Sequence, residues 1–195
     1  MNPAIKNTEI KVACDVTNTL CGENGASAVF GPQKGATPEM VERLDAGLRN
    51  MAEKLSVPGI LEIPGGGAAG GLGAGLVAFC GGKLEKGFNI IADAVGLEEK
   101  IKGADLVITG EGKTDRQTAF GKLPAGVAGI AKKHGVPCVL ISGAVVGDIP
   151  ELYDCGITAA FATVSTTCDL DTAIKTAAEC LERASENVVR LFGGR

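Results

Sequence analysis

Between Pro64 and Gly71 the chain reads Pro-Gly-Gly-Gly-Ala-Ala-Gly-Gly, and no other stretch limits the possible folds so sharply. Glycine loses more conformational freedom on folding than any other residue and has no side chain to bury. A run like this survives in a folded chain only where the backbone must turn tightly or lie close against something. The uncharged segment continues from Ile63 to Cys80 and repeats G-x-x-x-G at Gly67/Gly71 and Gly71/Gly75, the spacing of packed membrane helices. It is long enough to cross a bilayer. Its helical part, however, offers only Leu72, Leu76, Val77 and Phe79 as bulky apolar side chains, and glycine gains almost nothing on transfer to lipid. The stretch therefore reads as a glycine turn feeding a tightly packed helix, and no membrane partner is expected.

The rest of the composition narrows the class. Lys and Arg number 19 and Asp and Glu 23, a formal net charge of −4 with no basic run, so the dense positive field that nucleic acid or an anionic membrane surface requires is missing. No nucleic-acid partner is expected. With 195 residues, 45% of them hydrophobic, the chain is long enough to bury a core as one domain or two small ones. Glycine, 29 of 195, is about twice its average usage but shows no triplet period. The seven cysteines never form C-x-x-C, which predicts reduced thiols and a cytoplasmic location rather than a disulfide framework or a zinc site. The opening MNPAIKNTEIK has no apolar core of the signal-peptide kind. The single histidine, His134, precedes Gly135 where a helix should stop, and reads as a surface residue favoured by the negative end of the helix dipole.

Periodicity predicts alternating strands and helices. A strand over Glu9 to Cys14 ends at Asp15, and a loop from Thr17 to Gly25 follows. Thr37 is a candidate N-cap with Pro38 at the first helical position, and Met40, Val41, Leu44, Leu48, Met51 and Leu55 form the apolar stripe of the helix after it. A short strand is predicted at Ile60 to Ile63 before the glycine run. In the second half, Leu106 to Thr109 is a strand, Pro124 to His134 a helix, Pro137 to Ile141 a strand and Thr158 to Ala162 a weaker strand. A long last helix starts near Asp169 or Asp171. It buries Ile174, Ala177, Ala178, Leu181, Val188, Val189 and Phe192 and stops at Gly193 and Gly194. The fold class expected is α/β, a mostly parallel sheet with helices on both faces, in a two-part architecture with a Rossmann-like second half.

Ligands of open parallel sheets sit beyond the carboxyl ends of the strands. Here those ends deliver Asp15 and Asn18, then Glu111, Asp115 and Gln117, then Ser142 and Gly143. Each alone is also an ordinary turn former. Gly65, Gly67 and Gly70 satisfy G-x-G-x-x-G with Glu85 further on, but Lys83-Leu84-Glu85-Lys86-Gly87 lacks the apolar run of the strand that should present Glu85 to a ribose. Gly112-Lys113-Thr114 resembles the end of a P-loop, yet Val107 stands where its first glycine belongs, and Glu111 would place a negative charge in the phosphate cradle. Glu111 and Asp115, beside Lys113 and Arg116, fit a magnesium ion or a substrate hydroxyl better, or else a solvated charged loop.

Three segments together point further. Gly31-Pro32-Gln33-Lys34-Gly35-Ala36, Pro64 to Gly71, and Gly110-Glu111-Gly112-Lys113-Thr114-Asp115-Arg116-Gln117-Thr118 with Gly121-Lys122 closely resemble the bacterial glycerate kinases of the 2-phosphoglycerate-forming type, and Ala13 to Asn18 is similar too. The resemblance covers essentially the whole chain. It implies ATP-dependent phosphoryl transfer to a hydroxyl of glycerate, with Mg2+, in a cleft between two α/β domains. It also implies roles for particular residues. Gly65, Gly66, Gly67, Gly70 and Gly71 would help hold an anionic group, and Lys34 would neutralise phosphate or carboxylate charge. Asp15, Glu111 and Asp115 would bind magnesium or orient the hydroxyl, while Asn18 and Gln117 would act as neutral hydrogen-bond partners. Members of that family are markedly longer, with a substantial segment before the strand at Glu9. The chain is therefore expected to be a truncated or split enzyme, residues 1–102 being a partial second domain and 103–195 a partial nucleotide-fold domain. Little activity is expected from it alone, and self-association or pairing with the missing portion is expected through uncovered edges. The other reading is a non-catalytic small-molecule or nucleotide-binding module derived from the same family.

Overall fold

The computed structural model describes residues 2–193. They form two compact units, one ending at Ile91 and the other starting at Ala92. The division expected from sequence falls after residue 102. The short helix α5 (Leu97–Ile101) belongs to the second unit because it packs on a helix there.

The first unit contains β1 (Lys11–Ala13), α1 (Ala26–Phe30), α2 (Pro38–Leu55), α3 (Ala68–Cys80), β2 (Lys83–Glu85) and most of α4 (Gly87–Ala94). β1 and β2 are parallel, with Val12 opposite Leu84. Lys83 N–H to the Ile10 carbonyl and Cys14 N–H to the Glu85 carbonyl extend the pairing at each end. The segment around Glu85 is thus a strand after all, built on one apolar residue. Thr37 caps α2 as read, its hydroxyl accepting from Met40 N–H at 3.3 Å. Only part of the predicted α2 stripe is covered: Leu48 and Leu55 pack on a core of Leu20, Ala52, Ile60 and Ala74, whereas Met40 and Leu44 are exposed. The expected strand at Ile60 to Ile63 is absent. Ile60 N–H bonds Val57 O, Glu62 N–H bonds Gly59 O, and Gly66 N–H bonds Ile63 O. Bracketed by Pro58-Gly59 and Pro64-Gly65, the segment winds through successive turns that use amides a ladder would need. G-x-G-x-x-G here therefore lacks the preceding strand that a dinucleotide site requires.

The second unit holds a parallel sheet in the order β3 (Val107–Thr114), β4 (Cys138–Val145), β5 (Ile157–Ala162). β4 is central and its first five residues are all buried, as expected of a strand covered on both faces. Val139 and Ile141 pack against Val188 of α9 (Ala177–Gly193). Alternation turns Cys138 and Leu140 to the other face, and α6 (Leu123–Lys133) lies against all three strands. Where the β4–β5 register shifts after Cys138, the Thr158 hydroxyl takes the Cys138 N–H at 3.1 Å. α7 (Pro150–Cys155) joins β4 to β5.

The long last helix is two. α8 (Leu170–Lys175) is capped by Asp169, whose carboxylate accepts Thr172 N–H at 2.7 Å. Thr176 interrupts it, with its hydroxyl donating back to the Thr172 carbonyl at 2.9 Å. Of the seven residues expected to be buried there, Val188 is buried and Phe192 half-buried, while Ile174, Ala177, Ala178, Leu181 and Val189 face solvent. Gly193 ends the described helix; Gly194 lies outside the described residues. No helix among the described residues is long and apolar enough to cross a membrane.

Candidate functional site

In the first unit the glycine run is a bend whose shape is fixed by close contacts. Gly65 has φ +84°, and a β-carbon on it would stand 2.7 Å from Cys14 Sγ and 3.1 Å from the Val16 carbonyl. A β-carbon on Gly67 would overlap the Thr19 carbonyl, and one on Gly71 (φ +97°) would press on Leu20. Gly65, Gly66, Gly67 and Gly71 are buried, and three successive amides there are bonded internally: Gly66 to Ile63 O, Gly67 to Asn18 O, and Ala68 to Gly65 O. Ala69 and Gly70 continue the left-handed backbone, so the regular helix begins only after Gly71. Gly70 differs from its neighbours. It is exposed, nothing crowds it, and it lines a hollow of about 630 Å³ with Lys34, Arg43, Ser27 and Phe30. Lys34 ends a 3-10 turn, Pro32–Lys34, closed by Gly35 at φ +88°. Neither Lys34 nor Arg43 has a carboxylate partner among the described residues. Asp15 is exposed at the end of β1, its Oδ1 accepting the Gly87 N–H at 2.9 Å and so holding the start of α4. Asn18 donates from its side chain to the Asn24 carbonyl at 3.0 Å and, through its own carbonyl, anchors Gly67.

In the second unit Glu111, expected just past a strand, lies inside β3, which runs on to Thr114. Its Oε1 accepts from the Thr118 hydroxyl at 2.6 Å and the Thr114 hydroxyl at 3.0 Å. Among the described residues Oε2 has no protein hydrogen bond. Glu111 also lines a hollow of about 540 Å³ with Gly112, Gly143, Thr109, Thr163 and Ser185. Asp115 caps the 3-10 turn Arg116–Ala119. Its Oδ1 accepts Gln117 N–H at 3.0 Å, and Lys122 and Lys113 stand 3.7 and 4.0 Å from its two oxygens. The Gln117 side chain is exposed. Arg116 ties the turn to α7 through Glu151, Nε to Oε1 at 2.6 Å. Ser142 is buried and bonds its own strand at the Ala144 carbonyl. His134 is not a bare surface residue: it is half-buried, with Nε2 2.8 Å from Glu98 Oε1.

The structure thus joins Asn18 to the glycine bend, Lys34 to Gly70, and Glu111 to Asp115 through the turn that follows β3. Thr114 and Thr118, both fully buried beneath Glu111, were not singled out from sequence. The signal available was Asp115-x-x-Thr118, a capping pair in which each side chain meets the other's backbone. No group of three or more His, Cys, Asp or Glu suited to a metal occurs among the described residues. Magnesium is commonly held by one or two carboxylates together with substrate phosphates, and Glu111, whose Oε2 has no protein hydrogen bond, with Asp115 on the turn that follows, is a donor set of that kind.

A sequence model of the glycerate kinase family matches residues 1–193. The chain is 44% identical over 191 residues to a glycerate 2-kinase of Escherichia coli strain K12, covering 96% of this chain and 50% of that protein. It is 44% identical over 191 residues to a glycerate kinase of Halalkalibacterium halodurans, with the same two coverages. A crystal structure named as a glycerate kinase 2 from Salmonella typhimurium LT2 superposes with a TM-score of 0.82 at 46% identity, over 100% of this chain and 51% of that one. The chain spans about half the length of the curated relatives it matches. With its parallel α/β sheets, its glycine bend and its Glu111 to Lys122 turn, this chain belongs to the glycerate kinase family.

Proposed function

We propose that this chain takes part in ATP-dependent transfer of a phosphoryl group to a hydroxyl of glycerate, giving phosphoglycerate. The observation that carries the reading is Glu111, a carboxylate with one oxygen held by buried hydroxyls and the other without a protein hydrogen bond, in a chain of this family whose Asp115, on the turn that follows, has Lys113 and Lys122 within 4.0 Å. Phosphoryl transfer needs positioning and charge neutralisation more than covalent help from the protein. Glu111 and Asp115 hold magnesium or orient the substrate hydroxyl; the ion, when bound, neutralises charge developing on the phosphates. Lys34, with Gly70 at the lip of its hollow, takes a phosphate or carboxylate. Gly65, Gly66, Gly67 and Gly71 give the bend its shape, Asp15 supplies a negative charge for magnesium or the substrate hydroxyl while its Oδ1 holds the start of α4, and Asn18 and Gln117 are neutral hydrogen-bond partners, Asn18 also anchoring the bend through its carbonyl.

Because the chain spans half its relatives' length, we propose that turnover at ordinary rates needs the remaining half of the family's chain, and that this polypeptide alone has little activity. Exposed apolar residues on α8 and α9 support self-association or pairing with that half. All seven thiols are free, which supports a reducing, cytoplasmic setting.

Calorimetry of the purified chain tests this reading. ATP binding that appears with Mg2+ and disappears with chelator or in Glu111→Gln is expected. Heat with NAD alone, or no heat with either nucleotide, would overturn the reading. Glycerate-dependent ATP consumption by the pure chain at ordinary enzyme rates would overturn the claim of low activity.

A further inference from the structure

We infer that Thr118 is the positioning residue for Glu111, the group that decides which way this carboxylate faces; the inference rests on the role proposed above for Glu111. Thr118 is completely buried. A threonine hydroxyl has one proton to give and lone pairs to accept with, so its direction is ordinarily free to rotate. Here it is fixed from behind. The Asp115 N–H donates to Thr118 Oγ1 at 3.3 Å, which leaves the Thr118 proton for Glu111 Oε1 at 2.6 Å, a length typical of a bond to an ionised acceptor. The Thr114 hydroxyl, also fully buried, donates to the same oxygen at 3.0 Å. Two donors on one oxygen hold the carboxylate so that Oε2 is the atom left for a ligand.

The same hydroxyl links the two acidic residues of the site. Thr118 accepts from the backbone of Asp115, whose carboxylate in turn caps the 3-10 turn carrying Thr118. Arg116 pins the turn to Glu151 of α7. Glu111 is therefore oriented from the far side of a turn that tertiary structure holds in place, and a hydroxyl at position 118 is what transmits that order. Valine at this position keeps the shape of threonine and removes the donor; serine keeps the donor and removes a methyl group.

The test compares wild type, Thr118→Ser, Thr118→Val and Thr118→Ala, each with and without Glu111→Ala, by thermal melting, by Mg·ATP calorimetry, and by 13C relaxation of the Glu111 carboxyl in glutamate-labelled chain. Expected are near-wild-type behaviour for Thr118→Ser and an increase in Glu111 carboxyl mobility in Thr118→Val. Mg·ATP binding should weaken about tenfold in Thr118→Val, the scale of a lost hydrogen bond to a charged group, and the same change should add nothing once Glu111 is alanine. A Glu111 carboxyl as ordered in Thr118→Val as in wild type overturns the inference, as does an equal loss of binding with and without Glu111. If wild type binds no Mg·ATP, the functional reading fails while the relaxation comparison still decides the positioning role. Thr118→Ala supplies that comparison should the valine variant not fold.

Discussion

Gly67 lies so close to Thr19 that a β-carbon on it would overlap the Thr19 carbonyl. The obstacle is backbone, itself held by the Gly67 N–H bond to the Asn18 carbonyl and the Ala26 N–H bond to the Leu20 carbonyl, so it has little room to move. Gly75, in the middle of α3, meets nothing within 4 Å. Gly67→Ala should therefore destabilise the chain by about 3 kcal/mol or abolish folding of the first unit, while Gly75→Ala should be neutral or stabilising by roughly 0.5–1 kcal/mol. Urea unfolding of the two variants checks the contrast. Equal stabilities would mean that the bend is not fixed by close packing.

Asp15 has two separable jobs. Its Oδ1 accepts the Gly87 N–H, a structural role that asparagine can also fill, and its negative charge is the proposed chemical one. Asp15→Asn should keep the melting temperature within a degree or two and lose Mg·ATP or glycerate binding, whereas Asp15→Ala should lose both stability and binding. If Asp15→Asn binds as wild type does, Asp15 is a cap for α4 and nothing more.

The features legible from sequence were those written in neighbouring residues. Thr37-Pro38 announced the start of α2, and the apolar run after Pro137 announced the buried central strand. Pairing across long separations was hidden. β2 has only Leu84 as an apolar residue and exists because Lys83, Leu84 and Glu85 lie beside Lys11, Val12 and Ala13, 72 positions earlier. Ile60 to Ile63 misled for the opposite reason: its apolar character serves the core from a set of turns rather than a ladder. At the site, Glu111 and Asp115 were visible as charges in an unusual loop. The buried hydroxyls that orient Glu111 belong to residues whose type is unremarkable until the turn folds beneath it.

The junction of α5 and α6 carries a pH-dependent contact. Lys133 Nζ at 2.6 Å, and His134 Nε2 at 2.8 Å, meet Glu98 Oε1, and the lysine hydrogen bond followed by that of the histidine holds the Glu98 carboxyl below the usual carboxylate value of 4.5. The folded chain therefore prefers ionised Glu98 more than the unfolded chain does. The contribution is complete above pH 4.5 and is lost as pH falls through the lower folded value. Glu98→Gln should lower the melting temperature slightly at pH 7, with the difference from wild type vanishing in strong acid, and Glu99→Gln should do neither. A Glu98→Gln deficit that persists unchanged below pH 3 would assign the effect to something other than this carboxylate.

Cysteine reactivity should follow burial. Cys138 sits at the start of β4 with no exposed surface, and desolvation pushes its thiol up to about 11. Cys168 is exposed. Since the thiolate is the reacting form, a maleimide or iodoacetamide at pH 7.5 should label Cys168 quickly and Cys138 only on unfolding, as read by peptide mass spectrometry. Rapid labelling of Cys138 in the native chain would mean that the second sheet opens readily at β4.

The apolar side chains left exposed on the last two helices give the remaining expectation. Leu170 and Leu191 are each 74% exposed, and Ile174, Leu181 and Val189 are exposed between them. β3 and β5 are both edge strands of the three-stranded sheet, and Ile108 on β3 is exposed as well. Single surface leucines are ordinary, but five large apolar side chains exposed on α8 and α9, together with two open edges of the parallel sheet, leave apolar area and unpaired backbone that a protein partner would cover. Light scattering after size exclusion should find the chain larger than a monomer at micromolar concentration. Leu181→Glu with Val189→Glu should shift it toward monomer without lowering the melting temperature, because neither side chain packs in the core. A wild-type chain that stays monomeric throughout that range would show that these exposed residues need no partner.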